Sequence, residues 1–213
     1  MRRTELSLSS LVLASANEGK LAEFRALLAP LNILIRSQAE FGIHSPPEPH
    51  KTFIENALLK ARHASRLSNL SALADDSGIC VNALAGAPGV YSARFAELAG
   101  AAAGAGDAAN NRLLIERLRG CEDRSAYYYC VLVLVRDVDD PQPLIADATW
   151  SGQVVEDARG QGGFGYDAHF FLPALGRCVA ELSATEKNSL SHRAQALRRL
   201  VLQLRERLQV PSS

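Results

Sequence analysis

The sequence predicts an α/β protein with a long mixed central β-sheet flanked by helices. Three observations predict it. An apolar run at 11–13 stops on small and polar residues and gives way at once to helical spacing. The run "YYYCVLVLVR" (127–136) is the strongest strand pattern in the chain, and "PLIADATWSGQVV" (143–155) reads as its antiparallel neighbour, which makes the sheet mixed. Helical stretches are interspersed with the strands from end to end, with no internal repeat and no linker.

After the first strand, residues 18–29 read as a helix carrying Leu21, Phe24, Leu27 and Leu28 on one face, with Pro30 ending it. A strand is expected over 31–35. "SQAEFGIHSPPEPHK" (37–51) contains three prolines and is a loop. Thr52 and Glu55 form a T-x-x-E capping box for a second helix with Ile54, Ala57, Leu58 and Ala61 on one face. "SALADDSGICVNAL" (71–84) reads as strand, turn and strand. "AGAAAGAGDAA" (99–109) is either a flexible loop or the loose start of a helix running to Arg119, with Gly120 beyond it, and no function is assigned to it. Ser183 and Glu186 suggest another capping box, and Ala194, Leu197, Leu200, Val201, Leu204 and Leu208 mark an amphipathic helix.

At 213 residues and 47% hydrophobic content the chain can bury a full core, and nothing in its length demands more than one domain. Residues 1–213 are therefore read as a single domain, with 1–8 an N-terminal extension. Lys plus Arg and Asp plus Glu both total 23, so no overall field draws the chain to nucleic acid, and phosphate binding has to come from local cations. All but four of the cationic residues are arginine. The lysines are Lys20, Lys51, Lys60 and Lys187, positions where a compact ammonium is favoured over a planar guanidinium. Cys80, Cys121, Cys130 and Cys178 show no C-x-x-C and no clustering with histidine, so reduced thiols are expected and structural zinc is not. The N-terminal apolar stretch is interrupted by Glu5 and serines, unlike a cleaved signal peptide, and no run approaches the ~20 apolar residues of a membrane span. A cytoplasmic, soluble protein is expected.

Four constellations carry chemistry. "SANEGK" (15–20) is spelled like a Walker loop, but Ala14 stands where its first glycine belongs and Leu21 replaces the metal-binding Ser or Thr. Ser15 and Asn17 offer short polar groups, Gly19 allows close backbone approach, and the following helix start favours an anion that Lys20 would reach. A plain helix cap with a solvated lysine fits the same residues. In "LADDSG" (73–78), Asp75 and Asp76 face opposite sides if the strand continues, so one of them is the expected worker. Adjacent acids among apolar residues suit a metal site or general base; an Asx-type turn before Ser77 and Gly78 suits them too. Glu48 could give Mg²⁺ a second carboxylate, which with phosphates and water is as much as that ion needs from a protein.

The third is "GQGGFGYD" (160–167), with four of the chain's 15 glycines. Such density implies backbone brought against something flat or charged, with Phe164 and Tyr166 stacking on a base and Asp167 accepting from a ring N–H; a tight bulged hairpin is the alternative. The fourth is "EKNSLSHR" (186–193), where Lys187, His192 and Arg193 put three donors around a helix break, or simply form a helix-end charge cluster.

Together and in this order, "SANEGK", "TFIENALLKARHA", "ADDSGICVNALAGAPGVYSARF", "GGFGYD" and "EKNSLSHRAQAL" resemble the inosine/xanthosine triphosphate pyrophosphatase family over residues 11–204. The resemblance implies hydrolysis of ITP, dITP and XTP between the α and β phosphates to a monophosphate and pyrophosphate, with Mg²⁺, in a homodimer whose active site lies in a cleft between two lobes. It implies that Ser15, Ala16, Asn17, Glu18, Gly19 and Lys20 form a phosphate-binding turn, and that Lys20 and Lys60 hold the triphosphate. It makes Glu48 and Asp76 the metal-binding acids, with Asp76 also the base for the attacking water and Ser77 touching substrate. Phe164, Gly165, Tyr166, Asp167, Lys187, His192 and Arg193 match the family's base and sugar pocket. Hypoxanthine and xanthine carry an oxygen at position 6 where adenine carries an amino group, so a donor-lined site is expected to reject ATP, by up to ~10⁴. A related pyrophosphatase acting on other triphosphates, or a nucleotide binder without turnover, is the competing expectation. The chain departs from the family at "PPEPHK", where neighbouring acids are common, in the glycine- and alanine-rich stretch 99–106, and at Ala168, where proline is common.

Overall fold

The computed structural model describes residues 10–15, 17–29 and 33–208. Along the described chain come β1 (Ser10–Leu13), α1 (Glu18–Leu28), β2 (Leu34–Ser37), α2 (Phe53–Ser68), β3 (Ala72–Val81) and a short α3 (Phe95–Leu98). They are followed by α4 (Gly106–Arg117), β4 (Ser125–Val135), β5 (Leu144–Val154), β6 (Phe170–Leu172), β7 (Arg177–Cys178), α5 (Ala184–Leu190) and α6 (His192–Leu208). The strands lie in the order β2-β1-β3-β4-β5-β6-β7. β1 is parallel to both β2 and β3, while β5–β6 and β6–β7 are antiparallel, so the sheet is mixed as expected.

Local signals placed most elements. Asn17 caps α1 by accepting from the Lys20 N–H at 3.0 Å. Thr52 caps α2, although Glu55 takes the Thr52 hydroxyl on its carboxylate (2.5 Å) instead of closing the reciprocal half of a capping box. Ser183 and Glu186 do form the full box at the head of α5. The helix ending at 117 stops two residues before Arg119, and Gly120 follows at φ +76°. The strand expected at 31–35 begins at Leu34; Pro30, like the 1–8 extension and Ala16, lies outside the described residues.

Two expectations need correction. Residues 71–84 hold one ten-residue strand, β3, with no turn at Asp75–Gly78. Gly78 is there because a Cβ would fall on the Gly89 carbonyl oxygen and the Ser92 Oγ, not because the chain turns. On α2, Ile54 is 41% exposed, and the buried face is Asn56, Ala57, Lys60, Ala61, Ala64 and Ser65. Asn56 and Lys60 are turned inward because each finds partners there.

The chain divides into two compact units. The first comprises the described part of Met1–Asp76 with Val131–Asp147 and Arg193–Ser213; its buried residues include Leu11, Val12 and Leu13 of β1, Phe24 and Leu28 of α1, Leu132 and Leu134 of β4, and Leu197, Leu200 and Leu204 of α6. Full burial of such side chains contributes about 1.5–3 kcal/mol each. The second comprises Ser77–Cys130 and Ala148–His192, with a core of Ile79, Val81, Leu114, Leu118, Tyr128, Tyr166 and Phe170 among others.

Candidate active site

In the first unit, β1 and β3 run parallel in the register Val12↔Ala72, Leu13↔Leu73, and the Ala14 N–H still reaches the Leu73 carbonyl at 2.8 Å. β1 ends there, and the chain turns through Ser15 and Asn17 into α1 at the carboxyl ends of parallel strands, where α/β sheets place ligands. The Asn17 N–H donates to Ser15 Oγ at 3.2 Å, so Ser15 is buried and shapes the turn. Glu18 and Gly19 open α1, and Lys20 reaches back across the turn to Asp75 at 2.8 Å.

Consecutive strand positions send Asp75 and Asp76 to different partners, as the period of two requires. Asp75 pairs with Lys20 and, at 3.5 Å, with Arg193 Nε; Arg193 also forms a charge-assisted hydrogen bond to Glu23 on α1. Burial opposes ionisation of Asp75, but Lys20, Arg193 and Lys60 outweigh it and hold the carboxyl well below its usual range. Arg193, assigned by resemblance to the base and sugar pocket, thus takes its charge partners from this unit, and its guanidinium lies 5.9 Å from the Phe24 ring centroid.

Asp76 meets Lys60 Nζ at 3.0 Å and Asn56 Nδ2 at 3.3 Å, and Lys60 also donates to Glu48 at 2.9 Å. Asn56, fully buried, holds the loop that carries Glu48 by accepting from the His50 N–H (3.1 Å) and donating to the His50 carbonyl (3.2 Å). Burial, reinforced by Glu48, pushes the Asp76 carboxyl up despite the opposing pull of Lys60. For Lys60 the balance is reversed: burial would lower its ammonium, and Asp76, Asp75 and Glu48 raise it. Among the described residues no three His, Cys, Asp or Glu side chains form a closed metal cage. Two carboxylates converging on one cation are nevertheless the hard-oxygen donor set that Mg²⁺ takes from a protein, so the residues fit that ion.

In the second unit, Ser77 continues β3 and is half-buried. The glycine-rich segment is a turn, not a hairpin: Asp167 Oδ2 accepts from the Phe164 N–H at 3.0 Å, and the Asp167 N–H returns to the Phe164 carbonyl at 3.3 Å. Gly163, at φ +75°, passes so close to Asp167 that a Cβ would strike its carboxylate. Asp167 is 4% exposed and accepts from Lys187 Nζ (2.7 Å) and the Tyr128 hydroxyl (3.1 Å), so its carboxylate serves internal donors where a ring N–H of a base was expected. Tyr166 is likewise a core residue at 4% exposure, its hydroxyl donating to the Ser92 carbonyl at 2.8 Å. Phe164 is half-buried, and the Lys187 ammonium lies 4.3 Å from the centroid of its ring. His192, after the break at Ser191, stacks on Tyr128 with centroids 4.7 Å apart and planes 9° from parallel. Gly165 is gripped from α4, its N–H by Asp107 (2.6 Å) and its carbonyl by Asn111 (2.9 Å).

The structure thus joins Lys20, Asp75 and Arg193 in one network, Glu48, Lys60 and Asp76 in a second, and Phe164, Asp167, Lys187 and His192 in a third. Sequence reading missed Glu23, Asn56, Tyr128 and the α4 pair. The only local sign was polarity: Asn56 and Glu23 are polar residues on helix faces that also bury alanine, leucine and phenylalanine.

The Ham1 family model matches residues 11–203. A dITP/XTP pyrophosphatase of Ralstonia nicotianae is 64% identical over 195 residues, covering 92% of this chain and 96% of that protein. One of Chromobacterium violaceum is 61% identical over the same shares of each chain. Among solved structures, a HAM1 protein from Coxiella burnetii aligns with a TM-score of 0.84 at 44% identity, covering 92% of this chain and 98% of that one.

Proposed function

The chain belongs to the Ham1 family, and from that membership we propose that it hydrolyses the non-canonical purine nucleoside triphosphates dITP, ITP and XTP to the monophosphate and pyrophosphate. The observation that carries the reading is the junction of Glu48, Lys60 and Asp76, two acids and an ammonium at one point in a buried setting. A nucleotide binder has no use for it, whereas attack of water on a polyphosphate needs both a base and cations.

Lys20 and Lys60 hold phosphate oxygens, and Arg193 with Glu23 steadies Asp75, which aims Lys20. Asp76 takes the proton of the attacking water; burial makes its carboxylate a better acceptor than an exposed one. Glu48 and Asp76 hold Mg²⁺, which when bound offsets polyphosphate charge. Phe164 stacks on the purine, and Lys187 and His192 offer donors to the oxygen at position 6, with Asp167 holding Lys187. Ser77 touches the substrate, and the turn that leads into Lys20 binds its phosphates. We further propose a cytoplasmic homodimer; sedimentation of the purified protein at micromolar concentration tests the dimer.

Pyrophosphate release from ITP, dITP, XTP, GTP, ATP and dTTP with Mg²⁺ tests the activity. The deaminated purines are expected to exceed ATP by about 10³ or more in kcat/KM. A preference for ATP or dTTP overturns the reading. Asp76→Asn should remove turnover while circular dichroism stays unchanged, and an active variant would exclude Asp76 as the base.

A further inference from the structure

Tyr128 sits in β4, where three successive tyrosines read as ordinary strand, and no role has fallen to it so far. Its side chain is engaged at both its hydroxyl and its ring. The hydroxyl donates to Asp167 Oδ1 at 3.1 Å, while Oδ2 of the same carboxylate accepts from the Lys187 ammonium at 2.7 Å and the Phe164 N–H at 3.0 Å. The ring stacks on the His192 imidazole, nearly parallel at 4.7 Å, and is backed by Phe170 at 4.5 Å and 48°. All of these groups are buried or half-buried.

The arrangement connects each group assigned to the base with one residue. Phe164 and Lys187 reach Tyr128 through Asp167, and His192 reaches it by stacking. A buried carboxylate with donors on both oxygens has a fixed orientation, and so fixes the ammonium it binds; deprived of one donor it can rotate to find another. We propose that Tyr128 is a positioning residue for purine recognition: its hydroxyl orients Asp167 and thereby Lys187, and its ring sets the plane of His192. The inference rests on the reading that Lys187 and His192 recognise the base.

Two substitutions separate the two links. Tyr128→Phe keeps the ring and deletes the hydroxyl; Tyr128→Leu deletes both. For Tyr128→Phe, KM for ITP should rise about tenfold with kcat nearly unchanged, and the ITP-to-ATP ratio of kcat/KM should fall by a similar factor, the size expected for one buried charge-assisted hydrogen bond. Tyr128→Leu should lower the ratio further. Inosine monophosphate binding by calorimetry supplies a second readout, with Tyr128→Phe weakening it about as much as KM rises. A merely structural tyrosine would reduce the active fraction, lowering kcat for both substrates while KM, the ratio and calorimetric affinity per active molecule stay put; that outcome overturns the proposal. Unchanged discrimination in Tyr128→Phe, in an enzyme whose wild type prefers ITP, rejects this role alone. A wild type without that preference rejects the assignment of the base site and this role with it.

Discussion

Replacing Lys60 with alanine removes the ammonium that Glu48 and Asp76 share at 2.9 and 3.0 Å. With an effective dielectric of about 20, each contact is worth roughly 5 kcal/mol before desolvation. Net of the cost of burying the ammonium, removing one member of such a buried pair costs roughly 3–5 kcal/mol. Part of that is recovered at low pH, because Asp76, already pushed up by burial, takes a proton more readily once Lys60 is gone. Its folded value then lies above the unfolded 3.8, the folded state binds more protons than the unfolded one, and stability falls as pH rises between the two values. Urea unfolding should therefore show Lys60→Ala less stable than the parent by about 3 kcal/mol at pH 8 and by clearly less at pH 5. In the same preparation kcat/KM for ITP should drop about a hundredfold. A loss under about 1 kcal/mol at pH 8, or one that does not change with pH, would refute the claim that this ammonium neutralises the two acids.

Asp75 should behave in the opposite sense. Its folded pKa is depressed by Lys20 and Arg193 despite burial, so its contribution is full above the unfolded value of 3.8 and is lost as pH falls toward the folded one. The gap in urea midpoint between wild type and Asp75→Asn should narrow from pH 5 to pH 3, and a constant gap would contradict the ion-pair account. Gly78→Ala should cost about 1–3 kcal/mol, read as a lower Tm, because the new methyl meets the Gly89 carbonyl oxygen and Ser92 Oγ.

What was legible in the sequence was what neighbouring residues decide. Ser183 and Glu186, three apart, specify their cap by themselves, and the spacing of Leu197, Leu200 and Leu204 suffices to turn α6 inward. The order of motifs was legible as well, and the match over 11–203 agrees with it. What failed depended on distant partners. Asp75–Gly78 spells a turn, yet two acids stay inside β3 because Lys20 and Arg193 stand against one and Lys60 against the other. Periodicity weighs apolar positions only, so it chose Ile54 for the buried face of α2 and overlooked Asn56, whose partner Asp76 lies 20 residues along the chain. Tyr166 and Asp167 read from the sequence as groups that stack on a base and accept from its N–H; their hydrogen bonds to Ser92, Tyr128 and Lys187 come from residues that no local spacing points to.

The back-to-back aspartates of β3 bear on how this gene can vary. Deleting one codon between Ala72 and Ala74 would move each later side chain of the strand to the other face, presenting Asp76 toward Lys20 and depriving Lys60 of its carboxylate in a single event. An inserted codon would instead bring Asp75 to Lys60 and Ala74 to Lys20, so a single-residue change of length in either direction costs one of the two ion pairs.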